Sequence, residues 1–256
     1  MIECLQIIIM AYALGSVPFG VVLAKLFRLP DPRSIGSGNI GATNMLRTGR
    51  KDVALLTLLL DGGKGAVAVL LVMYLFLPLS IDPSQTYLGI SKTDCMPNRG
   101  PCVGCILMCP LNGGPCVDDL PRSGLAIDKK SIEVLMHPLL SLALLCAAVG
   151  HMYSPWLKFK GGKGMATLLG GALAFSWPVG MAMLVVWILV AFTTRYVSVA
   201  SIAALALAPF TVWLRVDGPS AFIIAIACAI AIWRHRDNIK RLRDGFEPKV
   251  KLGGGK

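Results

Sequence analysis

The chain has 256 residues, 55% of them hydrophobic and 15% charged, with a mean hydropathy of +0.68. That composition is too apolar and too thinly charged for a soluble domain of this length, so the class is an all-α, polytopic membrane protein with six or seven spans in one domain. A formal net charge of +11 then reads as basic cytoplasmic loops facing anionic lipid, which also suit anionic substrates. No aromatic-studded basic surface points to nucleic acid.

Leu5–Phe27 is the first expected span, retained because no basic n-region or cleavage site precedes it. It carries Gly15, Ser16, Pro18 and Gly20, residues that kink a helix or allow close helix contact. Between this span and the next lies Ser34–Arg47. Gly36, Gly38 and Gly41 permit backbone conformations that let amides converge on an anion. Ser37, Asn39, Thr43 and Asn44 add short polar side chains, and Arg47 adds a fork of donors suited to phosphate. An ordinary Gly/Ser/Asn turn has the same composition. Arg47 and the basic stretches downstream favour a phosphate site.

Val53–Leu79 is a second apolar region, interrupted by Asp61-Gly-Gly-Lys64-Gly65. An ionisable pair at that depth is either functional or a self-neutralising structural pair, and the sequence leaves both open. Residues 80–133 are polar, rich in Pro, Gly and Cys, and lack periodicity. Cys95, Cys102, Cys105, Cys109 and Cys116 fall there; their spacing misses the full iron–sulfur pattern and favours one or two disulfides. Cys4, Cys146 and Cys228 lie in spans as small apolar residues.

Val134–Val149 is a short third span, followed by a basic loop, Tyr153–Lys163. The stretch His151 to Thr167 lacks Walker A spacing, yet it places Gly162, Lys163 and Gly164 just ahead of a helix start, where the dipole favours an anion. Lys158 and Lys160 read as membrane anchors, and Lys163, boxed by glycines, as functional. Met165–Phe175 and Val179–Thr193 are apolar, separated by a turn at Ser176–Pro178; Thr194–Ser201 is a polar junction. Ile202–Leu214 and Ala221–Trp233 are the last two spans, before the basic tail Arg234–Lys256. In that tail His235 and Asn238, three apart, share a helix face and are placed to grip a substrate. Several spans fall short of the ~20 residues of an upright helix, so they must pack inside the bundle or be helped by bilayer thinning.

No Ser-His-Asp set, G-x-S-x-G elbow, H-x4-D acyltransferase motif or zinc-type His cluster is present, so neither a metal nor another cofactor is expected. Chemistry would rest on positioning and electrostatics.

Taken in order, Gly15–Gly20, Gly36–Asn44 with Arg47, Asp61-x-x-Lys64-Gly65, Gly150–Tyr153, Phe159–Gly164 with Ala166-Thr167, Arg195–Ser201, Arg234–Ile239 and Gly245–Lys249 resemble the bacterial acyl-phosphate:glycerol-3-phosphate acyltransferases, the PlsY family. The resemblance runs through nearly the whole chain. It implies a seven-span inner-membrane enzyme with its active site at the cytoplasmic face. The implied reaction joins glycerol 3-phosphate to the acyl group of a fatty acyl phosphate, giving lysophosphatidate and phosphate in phospholipid biosynthesis. By position it implies Ser37, Arg47, Lys163, Ser201, His235 and Asn238 as site residues, with Arg47, Lys163 and His235 the candidate catalytic groups. The chain departs from the family in residues 80–133, an extracytoplasmic Cys-rich insertion in a single domain spanning 1–256. An organic-phosphate transporter and a non-enzymatic lipid-binding protein are the rival readings. The one-sided placement of the cationic motifs speaks against the first, and the specificity of Lys163 and Asn238 against the second.

Lys and Arg set the expected orientation: N-terminus outside, seven spans, tail in the cytoplasm. Membrane-impermeant thiol labelling of intact cells should therefore reach the cysteines of residues 80–133 and miss a cysteine added to the tail. The reverse pattern overturns this topology.

Overall fold

The computed structural model describes residues 2–76 and 129–249, which form helices, turns and loops without a strand among the described residues. Most of the expected insertion, residues 80–128, lies outside the described residues, as do its five cysteines and the end of the second apolar region.

The first apolar segment is two helices, α1 (Ile2–Ser16) and α2 (Phe19–Leu26), broken at Val17–Pro18 because proline brings no N–H to the ladder. A four-residue helix, α3 (Ala42–Met45), and a 3-10 turn, Leu46–Thr48, lead into α4 (Lys51–Phe76). The Asp61–Gly65 stretch interrupts the apolar run but not the helix; α4 continues through it. Its glycines serve contact. A Cβ on Gly65 would collide with the backbone of Thr167, and Gly62 lies against Gly170.

The third apolar helix, α5 (Lys129–Met152), is longer at both ends than expected and starts inside the expected insertion. It continues through Pro138. It is the central element, packing against α1, α4, α6 (Met165–Phe175) and α9 (Gly218–Trp233). Small residues make that possible: Ala143, Ala147 and Ala148 are fully buried, Gly15 abuts the Ala147 carbonyl, and Gly150 abuts the Tyr12 carbonyl. α6 spans about 16 Å, at 1.5 Å per residue, too short to cross the bilayer core. It rests against α4, α5 and α7 (Trp177–Thr194).

Ser176 alone separates α6 from α7. The expected polar junction at Thr194–Ser201 is mostly helix: α8 (Val197–Arg215) begins at Val197, which puts Ser198 and Ser201 on one helical face. α9 ends at Trp233, and α10 (Arg236–Arg243) leaves it at 52°. Among the described residues, five helical segments are long and apolar enough to cross a membrane, and the bent α9–α10 pair would make six. Their outer faces carry exposed Leu59, Ile188, Phe192, Phe210 and Phe222, as expected where lipid is the solvent.

The α4–α6 contact yields a direct test. Gly65→Leu forces side-chain atoms into the Thr167 backbone and should cost about 1–3 kcal/mol, the usual penalty of overpacking. The thermal midpoint in detergent should drop by several degrees. Gly63→Ala, which meets open space, should leave it unchanged.

Candidate active site

Three stretches meet at one end of the bundle. The first is the loop from Arg28 to Arg50, organised from within by Asn44. The buried Asn44 amide donates to the carbonyls of Pro32 at 2.6 Å, Asn39 at 2.8 Å and Ile35 at 3.1 Å, and its oxygen accepts from the Ser37 amide. Asn44 thus shapes the loop with all of its polar atoms. Gly36 has φ +53, and a Cβ there would strike the Arg47 guanidinium, so the missing side chain leaves room for Arg47. Arg47 itself is exposed and has no carboxylate partner among the described residues.

The second stretch is the loop after α5. Tyr12 donates to the Tyr153 carbonyl at 2.8 Å, Ser154 to the Ser16 carbonyl at 2.6 Å, and Trp156 to the Ser16 hydroxyl at 3.1 Å. These bonds fasten the loop to the end of α1. The amides of Gly161 and Gly162 then donate back to Met152 and His151. Gly164, at φ +83, turns the chain into α6 and leaves Lys163 at the bend.

The third stretch is the α9–α10 bend. The His235 ring places Nδ1 2.8 Å from the Ala231 carbonyl. A carbonyl only accepts, so Nδ1 carries the proton and neutral His235 offers the Nε2 lone pair. A polar chain runs onward: Lys163 Nζ donates to Asn238 Oδ1, Asn238 Nδ2 donates to Glu247 Oε1 at 2.6 Å, and Arg241 Nε donates to Glu247 Oε2 at 2.9 Å. Burial pushes the Lys163 ammonium down to about 8; Arg241 and Arg234 add to the depression, while Glu247 and Asp237 oppose it. Burial would raise the Glu247 carboxyl, but the hydrogen bonds from Asn238 and Arg241 outweigh it and hold Glu247 below its usual range.

These stretches enclose a cavity of about 660 Å³. Ser37, Asn39, Gly41, Thr43, Asn44, Arg47, Lys163, Gly164, Ser201, His235 and Asn238, all candidates from the sequence, line it. Gly38 and Gly162 do not. The Gly38 amide donates to Ile35 and the Gly162 amide to His151, so both serve loop shape instead of facing the cavity.

The structure adds residues the sequence reading did not place in the site. Trp187 donates to the Ser201 hydroxyl at 3.2 Å, and the buried Ser198 lines the cavity beside it. Asp61 and His151 form part of the wall, and Glu247 is the carboxylate behind Asn238. Ser198 was legible as the residue three before Ser201 on one helix, and Glu247 as the one glutamate of the basic tail. Leu58, Leu169, Leu184 and Trp187 give the cavity an apolar wall beside its cations. Such a space can take an anionic head and an alkyl chain together.

The glycerol-3-phosphate acyltransferase family model matches residues 5–105 and 123–245. A glycerol-3-phosphate acyltransferase of Rhodospirillum rubrum is 40% identical over 239 residues, covering 93% of this chain and 87% of that one. Its counterpart in Jannaschia sp. is 39% identical over 246 residues, covering 94% and 90%. The crystal structure of PlsY, an integral membrane glycerol 3-phosphate acyltransferase, in its glycerol 3-phosphate form superposes with a TM-score of 0.69 at 30% identity, covering 97% of this chain and 96% of that one. The form of the same protein with lysophosphatidic acid gives 0.68 at 29%. With the family model matching most of the chain and relatives about 40% identical over more than nine-tenths of it, this chain belongs to the glycerol-3-phosphate acyltransferase family, integral membrane enzymes of phospholipid biosynthesis.

Proposed function

We propose that the acyl donor is a fatty acyl phosphate and that the reaction yields 1-acyl-glycerol 3-phosphate and inorganic phosphate, the first acylation in phospholipid assembly. The observation that carries this reading is the cavity, where Arg47 and Lys163 sit beside an apolar wall, no thiol is among the lining residues, and both lining carboxylates, Asp61 and Glu247, are engaged by Lys64, Asn238 and Arg241. An acyl phosphate needs no protein nucleophile, because phosphate is a good leaving group. Arg47, Lys163 and Ser37 hold the phosphates; Ser201, Asn238 and the 39–44 loop set the walls; His235 Nε2 accepts from the attacking hydroxyl. The glycerol oxygen bonds to the acyl carbon, the carbon–oxygen bond to phosphate breaks, and the hydroxyl proton ends on the departing phosphate. Orientation of the two reactants supplies on the order of 7–11 kcal/mol.

The same reading sets the enzyme in the bacterial inner membrane as one domain of seven spans, the short α6 completing one of them where the bilayer thins around it. The N-terminus lies outside, the tail and cavity lie at the cytoplasmic face, and residues 80–133 form an outer segment, of which only residues 106–122 fall outside the family match. The bias of Lys and Arg toward the loops flanking the cavity supports this orientation.

Purified protein given synthetic acyl phosphate and glycerol 3-phosphate should release lysophosphatidate and phosphate in equal amounts. Acyl-CoA in place of acyl phosphate should give none, and equal rates with acyl-CoA overturn the donor assignment. Arg47→Ala and Lys163→Ala should each lower kcat/KM by roughly 10²-fold, the size of a lost charge-assisted phosphate contact. Arg47→Lys should rescue poorly, since an ammonium lacks the fork. Lys160→Ala, on the exposed side of the loop, should do little.

The depressed Lys163 ammonium adds a pH signature. Lys163 is charged below about 8 and loses its proton above it. The profile of kcat/KM should therefore fall on its alkaline side near pH 8, well below the usual lysine range. In Lys163→Arg that limb should move beyond pH 10. An unchanged limb in that variant would assign it to another group.

A further inference from the structure

Arg234 ends the last apolar helix, where an anchoring arginine would extend into the headgroup layer. In the structure it turns inward. Its Nη2 donates to the Gly161 carbonyl at 2.8 Å and its Nε to the Gly162 carbonyl at 3.2 Å. Its Cζ stands 5.3 Å from the centre of the Tyr153 ring. The two carbonyls belong to the two residues directly before Lys163. Arg234 itself directly precedes His235, and Asn238, which accepts from Lys163, lies one helical turn further on. A single side chain thus fastens the turn carrying Lys163 to the helix end carrying His235 and Asn238.

The turn needs this support. Lys163 has glycine on both sides, and Gly161 adds a third, so its backbone has little stiffness of its own. One side is held by α5, through the amide bonds from Gly161 and Gly162 to Met152 and His151 and by the His151 ring lying under Gly162. Arg234 holds the other side. Charge attraction does not explain the placement, because a guanidinium near Lys163 is repulsive; shape does. Two successive carbonyls match a planar fork, and the flat face stacks on Tyr153.

We propose that Arg234 is a positioning residue for acyl transfer: its guanidinium clamps the Gly161 and Gly162 carbonyls and so sets Lys163 against Asn238 inside the cavity. This rests on the reading of Lys163 as a phosphate ligand. Arg234 touches no reacting atom, and its effect passes through Lys163.

The test is a double-mutant cycle on the full-length purified enzyme with acyl phosphate and glycerol 3-phosphate. Arg234→Ala should lower kcat/KM by about tenfold or more, and Arg234→Lys, which keeps the charge but loses the fork, should recover little of it. In a Lys163→Ala background the further loss on removing Arg234 should shrink to within about twofold. Equal losses in both backgrounds would mean a purely structural arginine and overturn the proposal. Lys163→Ala without effect by itself would instead overturn the underlying reading of Lys163. A second measurement needs no turnover. An amine-reactive ester, mapped by mass spectrometry, should modify Lys163 several-fold more in Arg234→Lys than in the native chain, relative to Lys158 and Lys160. An unchanged ratio overturns the proposal.

Discussion

One buried ion pair ties together the elements that build the cavity. Lys64 Nζ donates to Asp61 Oδ1 at 2.9 Å and to the Val17 carbonyl at 2.9 Å, with the Phe19 ring 5.7 Å away. The Val17 carbonyl lies at the break between α1 and α2, where proline ends the helical ladder, and it also accepts from the Phe19 amide at 3.2 Å. On the other side of the pair, the Asp61 carboxylate lies 3.6 Å from His151 Nδ1 in α5, and its backbone carbonyl accepts from Thr167 in α6 at 2.9 Å. The α1–α2 break, α4 and α6 are therefore joined through Lys64 and the backbone carbonyl of Asp61, with His151 of α5 set against the Asp61 carboxylate. Losing either partner alone would strand a charge where water cannot reach it, a cost larger than the pair's own net worth. The two roles that the sequence left open for Asp61 and Lys64 thus meet: the pair is structural, and Asp61 is also wall of the cavity.

The helices were legible wherever apolar length alone decides them. The loops were legible only in part. Gly-Ser-Gly-Asn and Gly-Gly-Lys-Gly read as phosphate cradles made of free amides, because glycine is the residue that lets amides converge. In the fold, the Ser37 amide bonds to Asn44, Gly38 to Ile35 and Gly162 to His151. The glycines do different work: Gly36 clears room for Arg47, Gly164 turns the chain into α6, and Gly65 lets α6 touch α4. Sequence composition cannot separate a glycine that frees an amide from one that admits a neighbour, since both lack the same Cβ. Asn44 shows the same ambiguity for side chains. It reads as a substrate ligand, lines the cavity, and yet bonds fully to its own loop.

What escaped the sequence was the polar support behind the cavity. The lone-pair geometry of His235 is set by the Ala231 backbone carbonyl of the preceding helix, and a backbone group leaves no mark in residue identity. Glu247 reaches Asn238 because α10 bends off α9 at 52° and the tail then turns back, the Phe246 and Glu247 amides donating to the Arg241 carbonyl, a path that local patterns do not specify. Arg234 was indistinguishable from the anchoring arginines around it until its two carbonyl partners were located.

The cavity gathers Arg47, Lys163, Arg241 and Lys249 against Glu247 and Asp61, and Asp61 is already matched by Lys64. It is left with excess positive charge in a partly desolvated space, a state that an anion relieves and that an empty site bears as self-repulsion. Lys163 registers that strain directly, since burial and the neighbouring guanidinium groups hold its ammonium down to about 8. A phosphate dianion placed beside it opposes both causes and restores the ammonium. Near neutral pH Lys163 is already protonated by about tenfold, so the dianion meets a formed charge and no proton need move. Above pH 8, binding must draw a proton onto Lys163, and affinity then falls as pH rises. The burial that gives the Lys163 contact its strength in a low-dielectric space is therefore also what confines it to the neutral range.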